Sequence, residues 1–218
     1  MGDMPGMAMS APSLASSSGY IVSAFIMWAI MMVAMMLPSA APMILLQDVF
    51  SRRSGLGGAA TLAFALSYLA LWIAFALIVA LGQSALISAG YVEEASLVVG
   101  NAKMAALLLF AAGLYELSPL KRLCLSHCQS PVTFLTRHWR PGIGGAIAMG
   151  LRHGTFCVGC CWALMLLLFV GGVMNLAWIA VLALLVLAEK YAPPAWRTDR
   201  VLACLLIIAS VLIAVRQV

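Results

Sequence analysis

His153, Cys157 and Cys161 follow one another at intervals of four residues, Met149 and Met165 extend the line, and Cys160 stands between. On an α-helix a step of four turns the azimuth by only about 40°, so all six side chains share about half of the circumference. His153, Cys157 and Cys160 lie closest, within about 60° of one another. The stretch rises about 24 Å, most of the thickness of a bilayer's hydrocarbon core. Imidazole, thiolate and thioether groups along one apolar helix are the ligands of a soft ion, copper(I) first, with zinc or another soft metal as the alternative. The competing reading is a packing face, because Gly150, Gly154 and Gly159 permit close contact between membrane helices. Packing accounts for the glycines, but not for three cysteines one turn above a histidine. Met149 and Met165 lie at the edges of the arc and read as packing.

Three further groups carry compatible chemistry. The run MWAIMMVAMMLPSAAPM aligns Met27, Met31 and Met35 on one line, with Met32 and Met36 on the next. Met31 and Met35 are expected at the depth of Cys157 and Cys160, though methionine is also an adaptable core filler. Pro38 and Pro42 should kink the lower half of this helix and free carbonyls inside the protein. In the basic segment SPLKRLCLSHCQSP, Cys124, His127 and Cys128 form a second candidate site, with Lys121 and Arg122 favouring thiolate. It lacks a fourth ligand for a closed zinc site, and simple reduced thiols on an interfacial loop explain it equally well. Met4, Met7 and Met9 in the Gly/Pro-containing N-terminal stretch are weaker candidates for copper(I) capture. Phe134, His138 and Trp139 read as interface anchors, and Glu116 and Glu189 as interfacial carboxylates, Glu116 pairing with Lys121 or Arg122. Paired catalytic carboxylates, a nucleophile triad, a phosphate loop and a dinucleotide fingerprint are all absent from the sequence.

These residues need membrane helices to position them. The chain has 218 residues, of which 65% are hydrophobic and only 9% charged. A soluble domain carries about 25% charged residues, so the composition indicates an all-α polytopic membrane bundle. The net charge of +5 therefore says nothing for nucleic acid. The six cysteines do not indicate the disulfide scaffold of a small secreted domain. Apolar runs of spanning length cover residues 20–46, 59–86, 97–117, 144–170, 173–189 and 201–215, the last two being short. Gly171 and Gly172 must separate the fourth run from the fifth, where a re-entrant hairpin is the alternative to two crossings.

Connector charges orient the six spans. Arg52 and Arg53 occupy the first connector and Glu93 and Glu94 the second. The third holds Lys121, Arg122, Arg137 and Arg140, the fourth is uncharged, and the fifth holds Lys190, Arg197 and Arg200. This alternation satisfies the positive-inside rule with both termini outside, Arg216 being the exception. The first 19 residues contain Asp3 and no basic leader, so they read as a flexible Met-rich extracytoplasmic tail ahead of a retained span, with residues 20–218 forming one transmembrane domain.

The motifs MWAIMMVAMMLPSAAPM, SPLKRLCLSHCQSPVTFL and GLRHGTFCVGCCWALMLLLFVGGVMNLAW, followed by Glu189–Lys190, resemble a bacterial family of predicted metal-binding integral membrane proteins. Some members of that family are regarded as copper chaperones accompanying tyrosinase-type enzymes. The resemblance runs from Trp28 to about Arg200. It implies a metal role for His153, Cys157, Cys160 and Cys161, with Met31, Met35 and Met36 as matching positions. It also implies a multi-pass protein of the bacterial inner membrane. Many relatives carry a longer Met-rich stretch before the first span, where this chain has only Met4, Met7 and Met9. The expected function is delivery of copper(I) to a cuproenzyme client, by a non-enzyme that lacks an ATP site; a second copy of the chain could supply spare ligands. Two other readings stand beside it: a membrane thiol–disulfide oxidoreductase using Cys157 and Cys160, and a structural assembly subunit without metal.

Overall fold

The computed structural model describes residues 17–93, 97–193 and 196–216, so Met4, Met7 and Met9 lie outside the described residues. Among those described, the chain is helical without a strand. The helices are α1 (Ser18–Arg53), α2 (Gly57–Ser88), α3 (Ala102–Glu116), α4 (Pro119–Gln129), α5 (Pro131–His138), α6 (Gly142–Leu166), α7 (Leu168–Gly171), α8 (Leu176–Tyr191) and α9 (Thr198–Val215).

All six apolar runs are helical, but their lengths differ in a way that bears on the count of crossings. Helices α1, α2, α9 and the run from α6 through α7 are each long and apolar enough to cross a membrane. Helix α3 qualifies only together with α4, across a bend of 65°. The expected third span loses its first residues to a local turn, where Val92 and Val99 form an isolated bridge. Helix α8 has 16 residues, about 24 Å of rise. Length and composition therefore give four spans, or five with the bent pair.

Side-chain polarity is inverted relative to a soluble domain. Ile30, Leu45, Ile78, Leu184 and Val215 are each at least 65% exposed, whereas Glu116 and Lys121 are fully buried. Buried polar groups act as ties between helices. Trp28 Nε1 donates to Gln83 Oε1 at 2.6 Å, and Gln83 Nε2 donates to the Tyr20 hydroxyl at 2.7 Å, closing α1 on α2. Asn101 and Asn175 cap α3 and α8 by accepting from the amides of Lys103 and Trp178. The chain reverses between α7 and α8 at Gly172, whose φ of 91° suits glycine. That turn is held inside the protein, with Phe169 against the Trp28 ring at 5.4 Å and Trp178 Nε1 donating to the Leu167 carbonyl.

Helix α2 packs along both α1 and α6, while α3 packs along α9. The α2–α6 contact depends on Gly150, where an added Cβ would collide with the Phe64 carbonyl and Ser67 Oγ. Backbone cannot yield as a flexible side chain can. Gly150→Ala is therefore expected to lower stability by about 1–3 kcal/mol. Gly144→Ala, where a Cβ meets nothing within 4 Å, is the matched control. Thermal unfolding in detergent micelles checks the pair, and equal midpoints would remove Gly150 from the helix contact.

Candidate metal centre

The thiol face of α6 meets three other helices at the level of Cys157. Cys157 is fully buried, and its Sγ accepts from the ammonium of Lys190 at 2.9 Å. An ammonium can only donate, so the sulfur is necessarily the acceptor. Lys190 Nζ also donates to Ser39 Oγ at 2.8 Å. The Tyr68 hydroxyl lies 3.1 Å from Cys157 Sγ and donates to the Met36 carbonyl at 3.2 Å. One sulfur thus gathers α1, α2, α6 and α8.

The proline segment of α1 makes this convergence possible. Proline at position 42 has no N–H for the Pro38 carbonyl, and the Tyr191 hydroxyl donates to that carbonyl at 3.3 Å. The freed carbonyl lies on the exposed side of α1 rather than inside the protein, and its partner is the residue next to Lys190. The α1 residues level with Cys157 are Met36 and Ser39, so Met35 sits within about one turn of that level and Met31 about one to two turns nearer the helix start. Met31, Met35 and Met36 are all buried in the apolar cluster that contains Cys157, Cys160 and Cys161.

The other thiols surround Cys157 without converging on one point. Cys160 and Cys161 each turn back to donate to the Cys157 carbonyl, at 3.2 and 2.8 Å. Cys128 comes from α4, with its Sγ 3.9 Å from Cys160 Sγ. Cys124, one turn earlier, packs against Gly159, where a Cβ would stand 2.8 Å from its sulfur. The basic segment expected to form a separate loop site is therefore a helix laid against α6, and its cysteines join the main group. His127 does not join it: its ring stacks on Phe156 at 4.1 Å and its Nδ1 lies 2.8 Å from the Leu123 carbonyl. His138 packs against Phe134, their rings 4.9 Å apart, and Phe134 is buried.

His153 lies below this group among rings, 5.6 Å from Tyr68, 5.4 Å from Phe134 and 6.1 Å from Phe64. Its Nδ1 is buried without a hydrogen-bond partner among the described residues. As the side chains stand, no three of the described His, Cys, Asp or Glu residues are arranged to hold a metal ion. Cys160 and Cys161 would have to rotate, and Lys190 to leave Cys157, before the sulfurs could share one. The donor types remain those a soft ion requires.

A second buried group adjoins the first. Lys121 Nζ donates to both carboxylate oxygens of Glu189 at 2.8 Å and pairs with Glu116. Glu116 and Glu189 are thus the buried flanks of an ion triad, and Glu116 pairs with Lys121 rather than Arg122. Gln129 Nε2 donates to the Glu189 carbonyl at 2.7 Å, fixing the other end of α4 to the same helix end.

Sequence reasoning passed over Lys190, Tyr68 and Ser39 as site residues. Met43 was likewise missed, although it continues the Met36–Ser39 face one turn on and is 2% exposed. Its heptad spacing from Met36 was the available signal.

Removing Lys121 alone strands two buried carboxylates. Lys121→Met is expected to cost about 3–5 kcal/mol, and Glu116→Gln/Lys121→Met/Glu189→Gln together to recover most of that loss. Chemical unfolding in micelles measures both, and a triple variant no more stable than the single one would contradict the ion-triad account.

Comparison with known proteins gives one assignment. A family model named PpoB2 and described as a copper chaperone matches residues 25–213, from the second turn of α1 nearly to the end of α9. No curated protein and no solved structure matches the chain.

Proposed function

Because the chain belongs to the PpoB2 family of copper chaperones, a carrier's role and not an enzyme's, we propose that it holds copper(I) within a bacterial inner membrane and delivers it to a cuproenzyme client. The observation that carries this reading is the buried Cys157 sulfur, with an ammonium and a hydroxyl upon it, the thiols of Cys160 and Cys161 on its own carbonyl, and Cys128 beside Cys160. Thiolates select monovalent copper over harder ions. Cys157, Cys160 and Cys161 form the tight site, with His153 and Cys128 on one side. Met31, Met35 and Met36 lie on the α1 side of the same cluster, where weaker thioethers offer the next ligands. Met4, Met7 and Met9 would continue the series outside. Metal moves from strong to weak sites only if something finally takes it, so an acceptor protein is part of the mechanism.

The bilayer supports this arrangement physically. Exposed leucine, isoleucine and valine over buried glutamate and lysine suit a hydrocarbon surround. We take six crossings with both termini outside, the third and fifth being completed by α3 with its bent continuation α4 and by the short α8. The alternation of basic and non-basic connectors supports that topology. A reporter active only outside the cytoplasm, fused after Val218, is expected to be active; a silent fusion whose cytoplasmic counterpart is active would invert the assignment.

Metal content tests the function itself. Protein purified under reducing conditions is expected to carry close to one copper(I) per chain, and Cys157→Ser/Cys160→Ser/Cys161→Ser to lose at least nine-tenths of it. Equal copper in the two proteins, or none in either after loading, would defeat the proposal.

A further inference from the structure

Beside the thiol group lies a cavity of about 160 Å³ whose walls bring together residues from α1, α4, α5, α6 and α8. Its inner wall holds Met43, His153 and Lys190, exposed by 2%, 3% and 7%. Its outer rim includes Tyr191, which is 54% exposed, and Pro131, which is half-buried. Cys128 lies between rim and wall and is itself half-buried.

The chemistry of this lining is selective. A thiol, a thioether and an imidazole line one small space. These are three donor types that a soft ion accepts. Cys128 also looks the other way, toward Cys160 Sγ at 3.9 Å. It is the sulfur common to the cavity and the buried group.

We propose that this cavity is the port through which copper(I) passes to and from the thiol centre. Cys128 and His153 take the ion first, and Cys128 then hands it to Cys160 and Cys157. The inference rests on the copper reading above and adds the route. The step is ligand exchange: copper stays monovalent and no electron moves. Cys128 gives its proton to water at the rim as the donor's sulfur departs; when it hands the ion on, the copper–Cys128 bond breaks as the copper–Cys160 bond forms, and the proton leaving Cys160 passes to Cys128 at 3.9 Å. Lys190 keeps its protons and leaves Cys157 for Ser39 Oγ, which it already contacts at 2.8 Å. Met43 lines the passage as a weak additional thioether donor.

The test uses full-length protein in lipid nanodiscs, with the copper(I)–glutathione complex as donor and a copper(I) chelator as acceptor. Cys128→Ser is expected to slow loading and chelator-driven unloading together, at least tenfold each, and His153→Asn to slow both severalfold. Symmetric slowing marks a residue on the path. Faster unloading with unchanged loading would make Cys128 a ligand of the final site only and overturn the port, as would wild-type rates in both directions. Labelling the reduced wild-type protein with a small alkylating reagent gives a second measurement that needs no variant. Cys128 is expected to react at least tenfold before Cys157 and to be protected by copper(I); Cys157 or Cys160 reacting first would overturn the proposal. Failure of the wild type to bind copper at all defeats the copper reading instead, so the two failures are distinguishable.

Discussion

Lys190 ends α8 with its ammonium turned inward, and the surroundings of Cys157 are arranged to satisfy it. A buried ammonium demands acceptors, and here they are a sulfur on α6 and a hydroxyl on α1. Both must arrive from helices that the local sequence around Lys190 does not control. Tyr68 then binds the same sulfur from α2 and spans to the Met36 carbonyl. Helices α2 and α8 meet the sulfur of α6 directly and α1 through Lys190 and Tyr68, so moving any of the four leaves a charge or a polar group without its partner.

The neighbouring residue holds the helix from the opposite side. Consecutive positions on a helix point about 100° apart, so Glu189 and Lys190 cannot serve the same neighbour. Glu189 turns to Lys121 on α4, and Lys190 turns to Cys157 on α6. The end of α8 is therefore clamped between the amphipathic helix that brings Cys128 and the apolar helix that brings the other thiols. This explains why α4 bends sharply away from α3 instead of continuing it: Lys121 must reach inward to Glu116 and Glu189. Ser118 accepts from the Lys121 amide and Pro119 occupies the first turn, which suits a new helix start at that point.

Periodicity made the helices and the α6 thiol face legible, because apolar runs and steps of four are local properties of the chain. Depth was less legible. The centre lies level with the ends of α3 and α8, beside Glu116 and Lys190, so a place near the middle of α6 is not the middle of every helix around it. Lys190 lies 33 residues from Cys157, and Tyr68 lies 89 away. A lysine closing an apolar helix looks like an interface anchor until the fold shows which way it points. The Cys124–Cys128 segment was misplaced for a related reason. Its basic residues suggest solvent, yet Lys121 is wholly buried and only Arg122 faces outward.

A resident ammonium on the principal sulfur also suits a protein that must give its cargo away. Copper(I) that binds Cys157 must first break the Lys190 contact, so the net affinity is the copper–sulfur gain less the cost of moving Lys190. That cost is limited because Ser39 remains as a partner, and the exchange can run in either direction. A site of converged thiolates without such a competitor would bind more tightly and release more slowly. The backward-turned thiols of Cys160 and Cys161 act in the same sense, since each must abandon the Cys157 carbonyl to become a ligand. Reversibility is the property that separates a chaperone from a storage site, and in the proposed centre it comes from groups that already occupy the sulfur face.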